Sequence, residues 1–196
     1  RGRSLVLSLI ELPLVLPPAV AGIGLLAAFG SQGLLGGALE VAGVRVPFTQ
    51  AAVVMAVVFV SSPFYVRGAI SAFESVDPSI TEAARTLGAG PWRVFRRVAL
   101  PLAAGGLGAG STLAFARGVG EFGATIIFAG SFPGRTETLS LAIYAELDRD
   151  LDTALAIGAL LVALSVAILV SSKVIGRWRS ESRSPSPSGP SPSTWR

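Results

Sequence analysis

Four stretches without a single charged side chain limit what this chain can become. Leu12–Leu39 is free of charge, and its first part, 12–30, is the piece expected to cross a bilayer, with Pro13, Pro17 and Pro18 kinking its start. Val46–Val66 supplies 21 uncharged residues, Val98–Ala116 supplies 19 and Thr153–Ser172 supplies 20. A hydrocarbon core is crossed by about 20 apolar residues in a helix. Backbone polar groups in lipid must be satisfied within the segment itself, which favours helices. The expected fold is therefore all-α, a polytopic membrane helix bundle over residues 1–180. Charged residues make up 14% of the chain, against about 25% in soluble domains, so the composition points the same way. Phe122–Gly134 is also uncharged but has only 13 residues. It is expected to dip into the bundle or to line a cavity within it.

Orientation follows from where the basic residues collect. Arg1 and Arg3, the loop 67–97, and the end of the chain from Lys173 hold 12 of the 16 Lys and Arg residues. Four crossings put all of these on one side, which is then cytoplasmic, with both ends of the chain. Glu40, Glu121, Glu137, Glu146, Asp148, Asp150 and Asp152 fall on the other side. The formal net charge of +4 is not the mark of a nucleic-acid binder, because the arginines flank apolar runs rather than sharing a soluble face.

Several kinds of chemistry are excluded by residue type. The chain has no cysteine and no histidine, so disulfides, thiolate metal sites and histidine bases are absent; no metal site is expected. Lys173 is the single lysine and stands in Ser-Ser-Lys-Val. A phosphate-cradling G-x-x-x-x-G-K-[ST] loop is therefore impossible, and no cofactor is expected on this chain. Gly108-Ala-Gly-Ser111 lacks a neighbouring base and is no nucleophile elbow. The acids at 148, 150 and 152 lie at a water-exposed end, not on facing spans. An enzyme is not expected. Gly106 and Gly110, spaced four apart, allow a close helix approach, either for packing within the subunit or for sliding against a twin.

Between the second and third apolar runs lies Asp77–Pro101, DPSITEAARTLGAGPWRVFRRVALP. Asp77 and Pro78 suit a helix start. Ile80, Ala83, Ala84 and Leu87 form one apolar stripe, and Gly88, Gly90 and Pro91 turn the chain. A second amphipathic piece sets Trp92, Phe95 and Val98 against Arg93, Arg96 and Arg97. Glu82-Ala83-Ala84, Gly88, Val98 and Leu100-Pro101 resemble the EAA loop of ABC importer permeases, EAA-x3-G-x9-I-x-L-P, departing only by Val98 for Ile. The resemblance implies a cytoplasmic loop, carried on Glu82, Ala83, Ala84, Leu87, Gly88, Ala89 and Trp92, that docks on an ATP-hydrolysing subunit.

LAFARGVGEFG at Leu113–Gly123, its continuation ATIIFAGSFPGRTETLSLAIY, and LPLVLPP at Leu12–Pro18 closely resemble the molybdate permeases of ABC importers, over about residues 9–175. Sulfate, thiosulfate and tungstate permeases are near relatives and stand as alternatives. A secondary transporter is a more distant alternative, since the apolar runs hold almost no acids. The resemblance implies the transmembrane domain of a type I ABC importer in a prokaryotic inner membrane. It also implies a homodimer, two cytoplasmic ABC ATPase subunits that bind the ATP and magnesium, and an extracytoplasmic oxyanion-binding protein. Such permeases begin with a further span; together with the start Arg-Gly-Arg, this gives the expectation that an N-terminal span is missing. A pathway for a divalent anion needs hydroxyls, backbone N–H groups and one positive charge at most. Arg117, Gly120, Glu121, Gly123, Thr125 and Ser131 are the candidates. Glu121 stands four residues after Arg117 and can neutralise it, which would make the pair structural. From residue 181 the Ser/Pro-rich sequence is expected to be a disordered cytoplasmic tail.

Overall fold

The computed structural model describes residues 2–181. Its described residues form α1 (Gly2–Val15), α2 (Pro18–Phe29), α3 (Gly36–Val41), α4 (Gln50–Glu74), α5 (Pro78–Thr86), α6 (Pro91–Val94), α7 (Leu100–Val119), α8 (Gly123–Phe128), α9 (Leu139–Glu146) and α10 (Leu151–Glu181), with a π-helical turn at Phe95–Ala99 between α6 and α7. There is no strand among the described residues. Three helices are long and apolar enough to cross a membrane: Gln50–Glu74, Pro91–Val119 and Leu151–Ser171. The pair α1–α2 would be a fourth if the two count as one span.

The segment 12–30 is not a single kinked helix. α1 and α2 meet at 119°. Leu16 precedes Pro17 and Pro17 precedes Pro18, and a following proline pushes a residue out of the helical region. Pro17 sits at ψ 135° and Pro18 opens α2. Twelve residues make a helix about 18 Å long, well short of a hydrocarbon core of about 30 Å. The other runs become helices that outlast their uncharged stretches: α4 continues past Arg67 to Glu74, and the third helix begins at Pro91, ahead of Arg93, Arg96 and Arg97. The stretch outside these long helices is therefore shorter than the expected loop 67–97. Glu181, expected to open the tail, is the last residue of α10; the rest of that tail, with Arg183 and Arg196, lies outside the described residues, as does Arg1.

Small residues bring the helices together. α4 and α7 run antiparallel, and a Cβ on Gly68 would stand 2.8 Å from Gly110 Cα, one on Gly106 2.6 Å from Ala72 Cβ. The pair Gly106/Gly110 thus packs within the chain, the first of its two sequence readings. Gly105 and Gly108, on other faces of α7, have open space. A second contact joins α2 to α8, where a Cβ on Gly22 would lie 2.8 Å from the Ala124 carbonyl oxygen. The core between α2, α4 and α8 is built mainly of alanines, with Leu25, Val60 and Phe128. In lipid such contacts rest on close packing rather than on the exclusion of water.

Prolines inside the long helices are accommodated locally. Pro63 cannot donate to the Phe59 carbonyl, and the Ser62 hydroxyl donates to that oxygen instead, at 3.0 Å. Pro101 pushes away the carbonyl four residues before it, and the preceding turn is widened, with the Leu100 N–H donating to the Phe95 carbonyl. Helix therefore continues without a break from Pro91 to Val119.

Candidate functional site

The stretch 75–90 forms a knob at one end of α4 and α7. Asp77 caps α5: its Oδ1 accepts the Ser79 N–H at 2.8 Å. That backbone bond, with the Ser79 side chain, holds the Asp77 carboxyl below its ordinary value, since hydrogen bonds to the charged form favour it. The helix ends in paired bonds: Gly88 N–H donates to the Arg85 carbonyl and Ala89 N–H to the Ala84 carbonyl. This is a Schellman turn, whose left-handed position favours glycine, and Gly88 sits there at φ +81°. The glycine of the EAA pattern thus has a backbone reason.

α5 has no buried residue. Glu82 and Ala83 are exposed, Ala84 and Ala89 half-buried, while Leu87 is 88% and Trp92 69% exposed. Six of the seven residues assigned to docking therefore lie on the knob and Trp92 on the first turn of the helix that follows it, with Leu87 and Trp92 uncovered. The second amphipathic piece differs from its expected form. It is no separate short helix but the first turns of the long helix, and Trp92 stacks on Phe95, which stacks on Phe73 of α4 (centroids 5.7 and 5.8 Å). The aromatic stack ties the two long helices together at the end that carries the knob.

Arg117, Gly120, Glu121, Gly123 and Thr125 lie at the α7–α8 corner, whereas Ser131 follows the far end of α8. Arg117 Nη1 donates to Glu121 Oε2 at 2.8 Å, and Glu121 Oε1 accepts the Ala124 N–H at 2.9 Å. Glu121 is 2% exposed. One carboxylate therefore neutralises the end of α7 and satisfies an amide in the first turn of α8, so the ion-pair reading describes the geometry. Gly123 lies against α2, where a Cβ would stand 2.9 Å from Pro18 Cβ. Gly120 has open space. Thr125 is fully buried, and its Oγ1 and the Ser131 Oγ have no hydrogen-bond partner. Buried hydroxyls are normally satisfied, so these two oxygens stand out as hydroxyls without a protein partner. Two cavities, one beside α2 and α3 and one along α4, are lined by none of the six candidates.

Sequence reasoning missed three features. Glu11 Oε1 accepts from Arg67 Nε at 3.0 Å, joining α1 to α4, and only the isolation of two opposite charges beside apolar runs hinted at it. Asp150 accepts the Asp152 and Thr153 N–H groups and the Thr153 hydroxyl at the start of α10; the D-x-x-T spacing carried that signal. Phe48 sits at φ +61°, edge-on to Phe132, and no sequence signal announces it.

The profile of the family described as "Binding-protein-dependent transport system inner membrane component" matches residues 1–180. The chain is similar to the "Molybdenum transport system permease protein ModB" of Mycobacterium tuberculosis, 50% identical over 83% of this chain and 61% of that protein. It is 42% identical to the protein of the same description from Escherichia coli K12, over 90% of this chain and 77% of that one. The "Sulfate transport system permease protein CysT" of E. coli K12 is 40% identical over 87% of this chain and 62% of that protein. The chain thus spans 61% of the length of the mycobacterial relative. With the EAA spacing folded as an exposed knob between apolar helices, and with a match over nearly the whole described chain, this protein belongs to the family of binding-protein-dependent transport system inner membrane components.

Proposed function

We propose that the chain is the membrane-spanning permease subunit of an ATP-driven importer of molybdate. The single observation that carries the coupling role is the α5 knob, which buries no residue of its own helix and leaves Glu82 and Leu87 exposed, with Trp92 exposed on the next helical turn. Exposed apolar side chains rimmed by charge mark a protein contact. The partner we infer is a cytoplasmic ATPase, which binds the ATP and magnesium; this chain has a single lysine and no phosphate loop. Two copies of the permease would pair, with an extracytoplasmic binding protein delivering the oxyanion. The end of the bundle that carries the knob, with Arg93, Arg96 and Arg97 beside it, then faces the cytoplasm.

The choice of molybdate rests on identity to proteins described as molybdenum permeases, up to 50%, against 40% for the E. coli sulfate permease. Sulfate, thiosulfate and tungstate carriage is the second reading, on the strength of that 40%. Within the pathway, Thr125 and Ser131 are the hydroxyls assigned to a passing anion, and the Arg117–Glu121 pair fixes the corner from which α8 departs. Binding energy and ATP hydrolysis would shift the dimer between inward- and outward-facing states. The test is uptake of labelled molybdate into proteoliposomes holding the permease, its ATPase and the binding protein, with sulfate and tungstate as competitors. ATP-dependent uptake that molybdate competes away before sulfate is expected; uptake driven by an ion gradient without ATP would overturn the proposal.

A further inference from the structure

A cavity of about 800 Å³ lies at the end of the bundle away from the knob, between the last turns of α2, α3 and the segment leading into α4. Its size is that of a ligand site. Ile23, Leu26 and Phe29 give it an apolar wall, while Glu40 and Arg45 stand on it as the charged groups. Neither Glu40 nor Arg45 forms an ion pair or side-chain hydrogen bond with another described residue. Around it, Leu34 and Val41 are each 92% exposed. Arg45 stands five residues before Gln50, where α4 begins; the 25 residues of α4 reach about 37 Å, which puts this end at the membrane–water boundary.

From this chemistry the geometry points to a binding site for a zwitterionic phospholipid, with the phosphate on Arg45, the ammonium on Glu40 and an acyl chain along Leu26 and Phe29. A guanidinium takes a phosphate through paired donors, and a carboxylate takes an ammonium. A free oxyanion fits less well, because Glu40 on the same wall repels it. The bare Leu34 and Val41 side chains supply the apolar surroundings in which a lipid, rather than a soluble ligand, would approach. This site is independent of which substrate the protein carries.

The test uses the full-length protein, purified and delipidated, then incubated with vesicles of equal phosphatidylethanolamine and phosphatidylglycerol, with retained lipid counted by native mass spectrometry. The wild type retains phosphatidylethanolamine in preference. Glu40→Gln removes that preference and raises phosphatidylglycerol retention, while Arg45→Ala lowers retention of both roughly tenfold, the scale of one charge-assisted contact. Arg45→Lys keeps most of it. Glu40→Gln is exposed and breaks no bond, so it decides the matter if an arginine variant elutes as aggregate. Absence of headgroup preference in the wild type, or a preference that survives Glu40→Gln, overturns the assignment. So does displacement of the lipid by molybdate, which would make the cavity an anion station instead.

Discussion

Gly88 holds a left-handed conformation in an open position: nothing lies within 4 Å of an added Cβ. Any effect of substituting it is thus one of backbone strain, about 1 kcal/mol for alanine, without a clash. Gly88→Ala is expected to leave membrane insertion intact and to loosen the knob, lowering ATP-coupled uptake more than expression; Gly88→Asn, which tolerates this region, should recover part of it. Glu121 behaves differently, because its two oxygens serve two partners inside the bundle. Glu121→Ala strands the Ala124 amide and the guanidinium of Arg117, whose side chain is 31% exposed, a loss of about 1–3 kcal/mol. Thermal unfolding in detergent should show a lower midpoint for Glu121→Ala and a smaller drop for Glu121→Gln, whose amide oxygen can still accept from Ala124.

At the scale of elements, α5 depends on its cap. The Asp77 carboxyl is held below its unfolded value of 3.8 by the Ser79 bonds, so the ionised form is favoured in the folded state. Its contribution is complete above the unfolded value and fades as pH falls through the folded one. Hydrogen exchange at the first amides of α5 should accelerate as pH is lowered through that range, after correction for intrinsic rates, and Asp77→Asn should abolish the dependence. The α4–α7 crossing makes a contrast between glycines on one helix. Gly110→Leu drives a side chain into Gly68 and should destabilise the pair by about 1–3 kcal/mol, whereas Gly105→Leu meets open space and should unfold like the wild type. The sequence could offer the glycine spacing but not its partner, because the register of α4 against α7 is a tertiary fact. Helix ends were similarly hard to read. Charge-free runs locate the lipid-crossing parts of α4, α7 and α10, but an arginine does not stop a helix, and Arg67 continues α4 while its side chain pairs with Glu11. The Pro17-Pro18 break was visible as a kink; its size of 119° was not, since propensity says where a helix stops and nothing about where the next one points.

For the molecule as a whole, little of the long helices is covered. Within their most apolar windows only 17%, 11% and 6% of residues are buried for α4, the Pro91–Val119 helix and α10, so the described residues leave most of these helices uncovered. The EAA pattern could be read because it is local: cap, turn and exposed apolar groups all lie within one short stretch. Among the pathway candidates the Arg117–Glu121 pair was legible because it is local, whereas the burial of Thr125 depends on α2 and α4 folding around α8. Orientation is the prediction that belongs at this scale. A cysteine placed at Arg93 in this cysteine-free sequence should react with a membrane-impermeant maleimide only when the cytoplasmic face is opened, while one at Asp148 should react in intact, outer-membrane-permeabilised cells.

The uninterrupted helix from Pro91 to Val119 has 29 residues and is therefore about 43 Å long. Trp92 rides on its first turn and Arg117 on its last. If the knob couples to an ATPase as proposed, a push on the tryptophan would meet no loop between it and Arg117 and would be carried along one continuous helix. The one irregularity along it is the widened turn at Phe95–Ala99 ahead of Pro101, so under that proposal the turn is the place where motion at Trp92 and motion at Arg117 could differ.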